Sequence, residues 1–129
     1  MKELFKINVG ELECKFVAND KRIYVNINDG KTAMLSTDIE THNNWQYVEY
    51  QDSTLKKYSM VSVVFDPLSD EYSYSYSNDV VHQDNYDSSA NIINAGQFVT
   101  FYASLILVLK KELDTYLKNN PQQKKALNI

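Results

Sequence analysis

The side chains best suited to metal chemistry lie in one acidic segment around His82. Asp79, Asp84 and Asp87 flank this histidine, and zinc or manganese can be bound by an imidazole together with carboxylates. An EF-hand loop needs a glycine at its sixth position and a glutamate at its twelfth, and "DNYDSSANIINA" has neither. Acids in a solvated loop before a helix explain the same residues, because the helix dipole favours negative charge there. We therefore predict no metal and no cofactor.

Nucleophilic chemistry would depend on Cys14, which is the single cysteine. The alternating "LECKF" places Cys14 on one strand face with Leu12 and Phe16, which is typical of a core residue. A Cys/His site would require the fold to bring His42 or His82 to it. The chain has three glycines, too few for a phosphate-binding loop, and it lacks a Gly-x-Ser-x-Gly elbow. We predict no catalytic residues and a protein that is not an enzyme.

The segment "DEYSYSYSNDVVHQDNYD" combines tyrosines and acids with no lysine or arginine. As a strand, it places three alternate tyrosines on one face and serines on the other. If the tyrosines face the core, the serines form an ordinary polar surface. If the tyrosines face solvent, rings and carboxylates form a negative surface suited to a basic partner. The predicted partner-binding residues are Asp66, Asp70, Glu71, Tyr72, Tyr74, Tyr76, Asp79, Asp84 and Asp87.

Charge is distributed unevenly along the chain. Residues 58–109 contain no lysine or arginine, and residues 32–109 contain ten acids against two lysines, although the net charge of the chain is only −4. Direct nucleic-acid binding is disfavoured, because it requires clustered cations that replace counterions around phosphates. Arg22 is the single arginine. The pattern favours a basic protein surface as the partner.

In size, acidity and lack of catalytic motifs, the chain is similar to small acidic proteins that imitate DNA. Many such proteins serve phages or mobile elements as inhibitors of restriction or CRISPR nucleases. The similarity implies a non-enzymatic inhibitor that occupies a basic surface of a nucleic-acid-processing enzyme. Two alternatives stay open. One is a small-ligand or peptide-binding domain, and the other is an oligomeric structural protein, such as a homodimer, assembled through the C-terminal helix.

Periodicity predicts the elements that position these residues. Apolar residues alternate with polar ones through most of residues 1–77, and helical spacing follows near the end of the chain. The switch predicts an α+β fold, in which a mainly antiparallel sheet of six to seven short strands packs on one long C-terminal helix. The helix is expected to begin near Ser88 or Ser89 and to end near Lys118, before "NNPQ". Residues 1–118 then form a single domain, and residues 119–129 form a loose tail.

The hydrophobic segments of the sequence indicate the cellular location that we expect. The most apolar run, "FVTFYASLILVL", is 12 residues long, whereas a membrane-spanning helix needs about 20. The charged start "MKELFKINVG" does not resemble a signal peptide. We therefore expect a cytoplasmic protein without a membrane partner.

Overall fold

The computed structural model describes residues 1–28, 33–52, 54–55, 57–69, 71–78 and 92–127, with side chains from Gln97 onward in the last range. Seven strands form one antiparallel sheet in which neighbours in sequence are neighbours in space. The strands are β1 (Lys2–Val9), β2 (Leu12–Ala18), β3 (Arg22–Ile27), β4 (Ala33–Asp38), β5 (Asn44–Asp52), β6 (Lys57–Phe65) and β7 (Tyr72–Asn78). A long helix, α1 (Ile92–Asn119), follows them. The predicted α+β fold is confirmed.

One face of the sheet carries the core, as the alternation of apolar residues predicts. Phe16 pairs with Val25 across β2 and β3, and Val25 pairs with Leu35 across β3 and β4, so the three side chains share that face. All three are buried. Cys14 lies on the same face and is fully buried, which confirms its predicted place in the core.

Helix α1 crosses the core face of the sheet from one edge strand to the other. The ring of Tyr116 stacks on Phe5 of β1 at 4.1 Å, and the ring of Phe98 meets Tyr76 of β7 edge-on at 5.6 Å. Seven strands about 4.8 Å apart make a sheet roughly 29 Å wide, and the helix rises about 27 Å between Phe98 and Tyr116. The axis of α1 therefore runs across the strands, with Phe98 at the β7 edge and Tyr116 at the β1 edge.

The aromatic packing on this face fixes the position of α1. Tyr102 stacks on Tyr47 of β5 at 3.6 Å, and the Tyr116 hydroxyl donates a hydrogen bond to the Leu4 carbonyl at 3.2 Å. The apolar face of α1 is completed by Leu105, Ile106, Leu109, Leu113 and Leu117, all of which are buried. The predicted helix start at Ser88 or Ser89 lies outside the described residues.

The structure shows a short helix where the sequence predicts a loose tail. Helix α2 (Pro121–Ala126) begins directly after α1, and proline suits its first turn because that position needs no backbone donor. Lys2 Nζ donates to Gln123 Oε1 at 2.6 Å, and Leu127 packs against the core. Neither described helix has the length and hydrophobicity needed to cross a membrane.

Candidate functional site

The β6–β7 turn presents the first part of the predicted binding surface. The Asp66 amide donates to the Glu71 carbonyl at 3.0 Å, and the Asp66 carboxylate accepts a hydrogen bond from the Leu68 amide at 2.9 Å. The Glu71 amide donates to Ser69 Oγ at 3.2 Å. These bonds close the turn, and Asp66, Leu68 and Glu71 remain exposed at its surface.

The three tyrosines of β7 lie on the core face of the sheet but differ in exposure. Tyr72, Tyr74 and Tyr76 pair with Phe65, Val63 and Val61 respectively, so they share the face that α1 covers. Tyr76 is half-buried against Phe98 of α1. Tyr72 and Tyr74 are 45% and 60% exposed. The tyrosines therefore take the first of the two sequence-based orientations, towards the core side, but Tyr72 and Tyr74 stay largely exposed there, whereas Tyr76 packs against Phe98.

These residues define the hairpin surface, which consists of Asp66, Leu68, Glu71, Tyr72 and Tyr74. The sequence predicted all of them except Leu68, which is almost fully exposed. Tyr76 contributes to packing instead. The remaining predicted residues, Asp70, Asp79, Asp84 and Asp87, lie outside the described residues, as does His82.

Positive charge borders the hairpin surface. Lys110 and Lys111 of α1 line a cleft of about 440 Å³ together with Phe65, Asp66 and Pro67. Lys110 Nζ lies 5.6 Å from the centre of the Phe65 ring. It also pairs with Asp114 at 2.9 Å, so part of its charge is neutralised within α1.

A polar cluster that the sequence did not predict lies between the β4–β5 connector and α1. Nδ1 of buried His42 lies 3.3 Å from Asp114 Oδ1, and Lys110 contacts the other oxygen of this carboxylate. His42 and Asp114 are 72 positions apart, and no local spacing connects them. Within the described residues, no three His, Cys, Asp or Glu side chains are grouped to hold a metal ion.

An apolar cleft of about 660 Å³ lies between the β1–β2 turn and α1. Val9 and Leu12 line it from the sheet, and Phe101, Leu105 and Val108 line it from the helix. Phe101 is 52% exposed and Val108 is 41% exposed. This side of α1 therefore presents apolar surface that the described residues leave partly open to solvent.

Comparison with known protein families, with curated proteins and with solved structures found no match to this chain.

Proposed function

We propose that this chain is a non-enzymatic binding protein whose hairpin surface occupies a basic surface of a cytoplasmic partner. The observation that carries the proposal is the exposure of Tyr72 and Tyr74 in the same hairpin as the exposed acids Asp66 and Glu71. A nucleic-acid-processing enzyme fits this description, because its binding groove is positively charged. An inhibitor of a restriction or CRISPR nuclease is the specific form that we propose.

Two physical features suit the hairpin surface to protein recognition. Tyrosine provides a large contact area with few rotatable bonds, so little conformational entropy is lost on binding. Tyr72 and Tyr74 are further restrained because they project from a strand hydrogen-bonded to β6. The nearby carboxylates attract a cationic surface and favour rapid association. Tyrosines would then anchor the complex and acids would orient it.

The test is an affinity capture from bacterial lysate at low and high salt, with mass spectrometry of the bound proteins. The baits are the wild type, a charge variant with Asp66→Asn and Glu71→Gln, and a ring variant with Tyr72→Ser and Tyr74→Ser. The wild type is expected to retain a basic nucleic-acid-binding enzyme at low salt and to lose it at high salt. Both variants are expected to retain at least about tenfold less of this enzyme than the wild type does, because interface anchors have been removed.

Matched control baits separate the hairpin surface from general effects. Glu11→Gln with Glu13→Gln removes the same charge at exposed sites near the β1–β2 turn, and Ser73→Ala with Ser75→Ala alters the opposite face of β7. Both controls are expected to capture the partner like the wild type. Equal capture by the hairpin variants and the controls would reject the proposal, as would capture that does not respond to salt.

A second candidate is self-association through α1, which would make the chain a structural or scaffolding dimer. The observation in its favour is the exposed pair Phe101 and Val108 at the apolar cleft. These residues are seven apart and therefore lie on one side of the helix. The two candidates use different surfaces, so a dimer could also bind a basic partner through its hairpin surfaces.

A further inference from the structure

His42 is held in an unusual backbone conformation by its surroundings. Its φ angle is 58°, in the left-handed region that non-glycine residues rarely adopt. The Trp45 indole donates to the His42 carbonyl at 2.8 Å, and the His42 side chain contacts Asp114 of α1. A strained residue persists only where its neighbours determine its conformation, and such residues are concentrated at functional sites. His42 is only 7% exposed.

The contact with Asp114 determines which nitrogen of His42 carries a proton. Burial alone would raise the pKa of Asp114, but hydrogen bonds from His42 and Lys110 outweigh burial and lower this pKa. The carboxylate is therefore ionised at neutral pH and can only accept hydrogen bonds. Nδ1 must donate to it, which in the neutral ring leaves Nε2 as an acceptor. Nε2 is buried and has no hydrogen-bond partner among the described residues.

His42 lines a pocket that carries positive charge. The pocket has a volume of about 550 Å³, within the range of about 300–1,000 Å³ typical of small-molecule sites. Its charged lining residues are Lys110, Lys118, Lys124, Glu40 and Asp114. Cations therefore exceed anions by one before His42 is counted, although the whole chain has a net charge of −4. This composition favours an anionic ligand.

We propose that the His42 pocket binds a small molecule through a phosphate monoester group. Phosphate suits the unpartnered Nε2 because a phosphate monoester, whose second pKa is about 6, is present near neutral pH both in a form with a P–OH donor and in a form with acceptor oxygens only. A monoanionic phosphate can donate a proton to Nε2, and a dianionic phosphate can accept one from the protonated ring. A carboxylate, with an ordinary pKa of about 4, has no proton to donate at neutral pH.

The rest of the pocket provides the other contacts that such a ligand needs. Lys118 and Lys124 lie on α1 and α2 at the pocket lining, and a lysine ammonium binds phosphate as a point charge. Leu117 and Pro121 supply apolar surface for the organic part of the ligand. The pocket shares no residue with the hairpin surface, so this proposal is independent of the proposed function.

The test is isothermal titration calorimetry, which measures the affinity of the full chain for glycerol 3-phosphate at low salt. Glycerol and malonate are the comparison ligands. Glycerol 3-phosphate is expected to bind more tightly than malonate, and glycerol is expected to show no binding. The double variant Lys118→Gln with Lys124→Gln should bind glycerol 3-phosphate at least about tenfold more weakly, because charge-assisted hydrogen bonds are lost. The control, Lys111→Gln with Lys125→Gln, removes the same charge outside this pocket and should change the affinity less than about twofold.

The imidazole itself provides a second readout that does not depend on affinity. Long-range ¹H–¹⁵N spectra report the ring nitrogens of His42 and His82, and the His42→Asn variant identifies the signals of His42. Asparagine tolerates positive φ, so this variant is suited to retain the connector. Saturation with glycerol 3-phosphate is expected to shift the His42 Nε2 signal and to leave His82 unchanged.

Four outcomes with the soluble ligands would overturn the proposal. They are the absence of glycerol 3-phosphate binding, tighter binding of malonate, equal weakening by the two lysine pairs, and an unchanged Nε2 signal at saturation. Vesicles of phosphatidylcholine with phosphatidic acid test the other source of a phosphate monoester. Binding to these vesicles in preference to glycerol 3-phosphate would assign the pocket to a lipid headgroup and overturn the small-molecule assignment.

Discussion

At the scale of the residue, Asp38 organises the connector that carries His42. Its carboxylate accepts hydrogen bonds from the Thr41 amide at 2.7 Å, the Thr41 hydroxyl at 2.6 Å and the Asn44 amide at 3.1 Å. Burial opposes ionisation of Asp38, but these hydrogen bonds outweigh it and lower the pKa to about 2. The folded chain therefore favours the charged form more strongly than the unfolded chain does.

The low pKa of Asp38 predicts a specific loss of stability in acid. The stabilisation is fully present above the unfolded pKa of 3.8 and is lost as the pH falls towards about 2. Asp38→Asn should lower the free energy of unfolding at pH 7 by about 1–2 kcal/mol, since hydrogen bonds to a charged acceptor are replaced by weaker ones. Urea unfolding at several pH values between 7 and 2 measures both effects.

The control for this prediction is Asp20→Asn, which neutralises an exposed acid in the β2–β3 turn. It should leave the stability at pH 7 within about 0.5 kcal/mol of the wild type. The difference in stability between wild type and Asp38→Asn should narrow as the pH falls through this range. A difference that stays constant down to pH 2 would contradict the role given to ionised Asp38.

At the scale of the element, α1 supplies much of the core, and adjacent residues on it should respond differently to substitution. Leu109 is fully buried against the sheet, whereas Val108 is 41% exposed. Leu109→Ala should reduce the free energy of unfolding by about 2–5 kcal/mol, because it removes buried apolar atoms and leaves a cavity. Val108→Ala should change it by about 0.5 kcal/mol or less. Chemical denaturation measures both.

A charged substitution at Leu109 and at Val108 should separate the two positions more strongly than alanine does. Leu109→Asp should prevent folding, because an unpaired carboxylate would enter the core, while Val108→Asp should remain folded. Circular dichroism and thermal melting distinguish the two results. A Leu109→Asp protein that stays soluble and melts cooperatively would show that α1 does not pack on the sheet as described.

The sequence predicted the elements better than it predicted the site. The alternation of apolar and polar residues was sufficient to predict six to seven strands. It is a strong signal because a one-residue slip would move every core side chain of a strand to the other face. The exposure of Tyr72 and Tyr74 could not be predicted, because it depends on where α1 stops covering the sheet. The contact between His42 and Asp114 depends on how α1 docks beside a connector 72 positions away, and no local pattern encodes that.

At the scale of the whole molecule, two groups of charge with opposite sign lie at different places. The exposed acids Asp66 and Glu71 lie at the β6–β7 turn, whereas Lys118 and Lys124 line the His42 pocket at the junction of α1 and α2. The hairpin surface and the His42 pocket share no residue. A basic protein and an anionic small molecule can therefore be recognised by the same small domain at different places.

The apolar cleft leads to the final prediction, which concerns self-association. The cleft offers only a small apolar area around Phe101 and Val108, whereas stable interfaces bury about 800 Å² on each partner. We therefore expect weak, reversible dimerisation. The average mass should rise above 14.9 kDa as the concentration increases from about 10 µM to about 1 mM, the range in which weak association becomes populated. Sedimentation equilibrium measures the mass directly.

The double variant Phe101→Gln with Val108→Gln should remain monomeric across this concentration range. The control variant Thr115→Gln, at an exposed position outside the cleft, should behave like the wild type. A wild-type mass that stays at the monomer value would exclude α1 as a dimerisation surface, and a mass that rises equally in all three proteins would place the interface elsewhere.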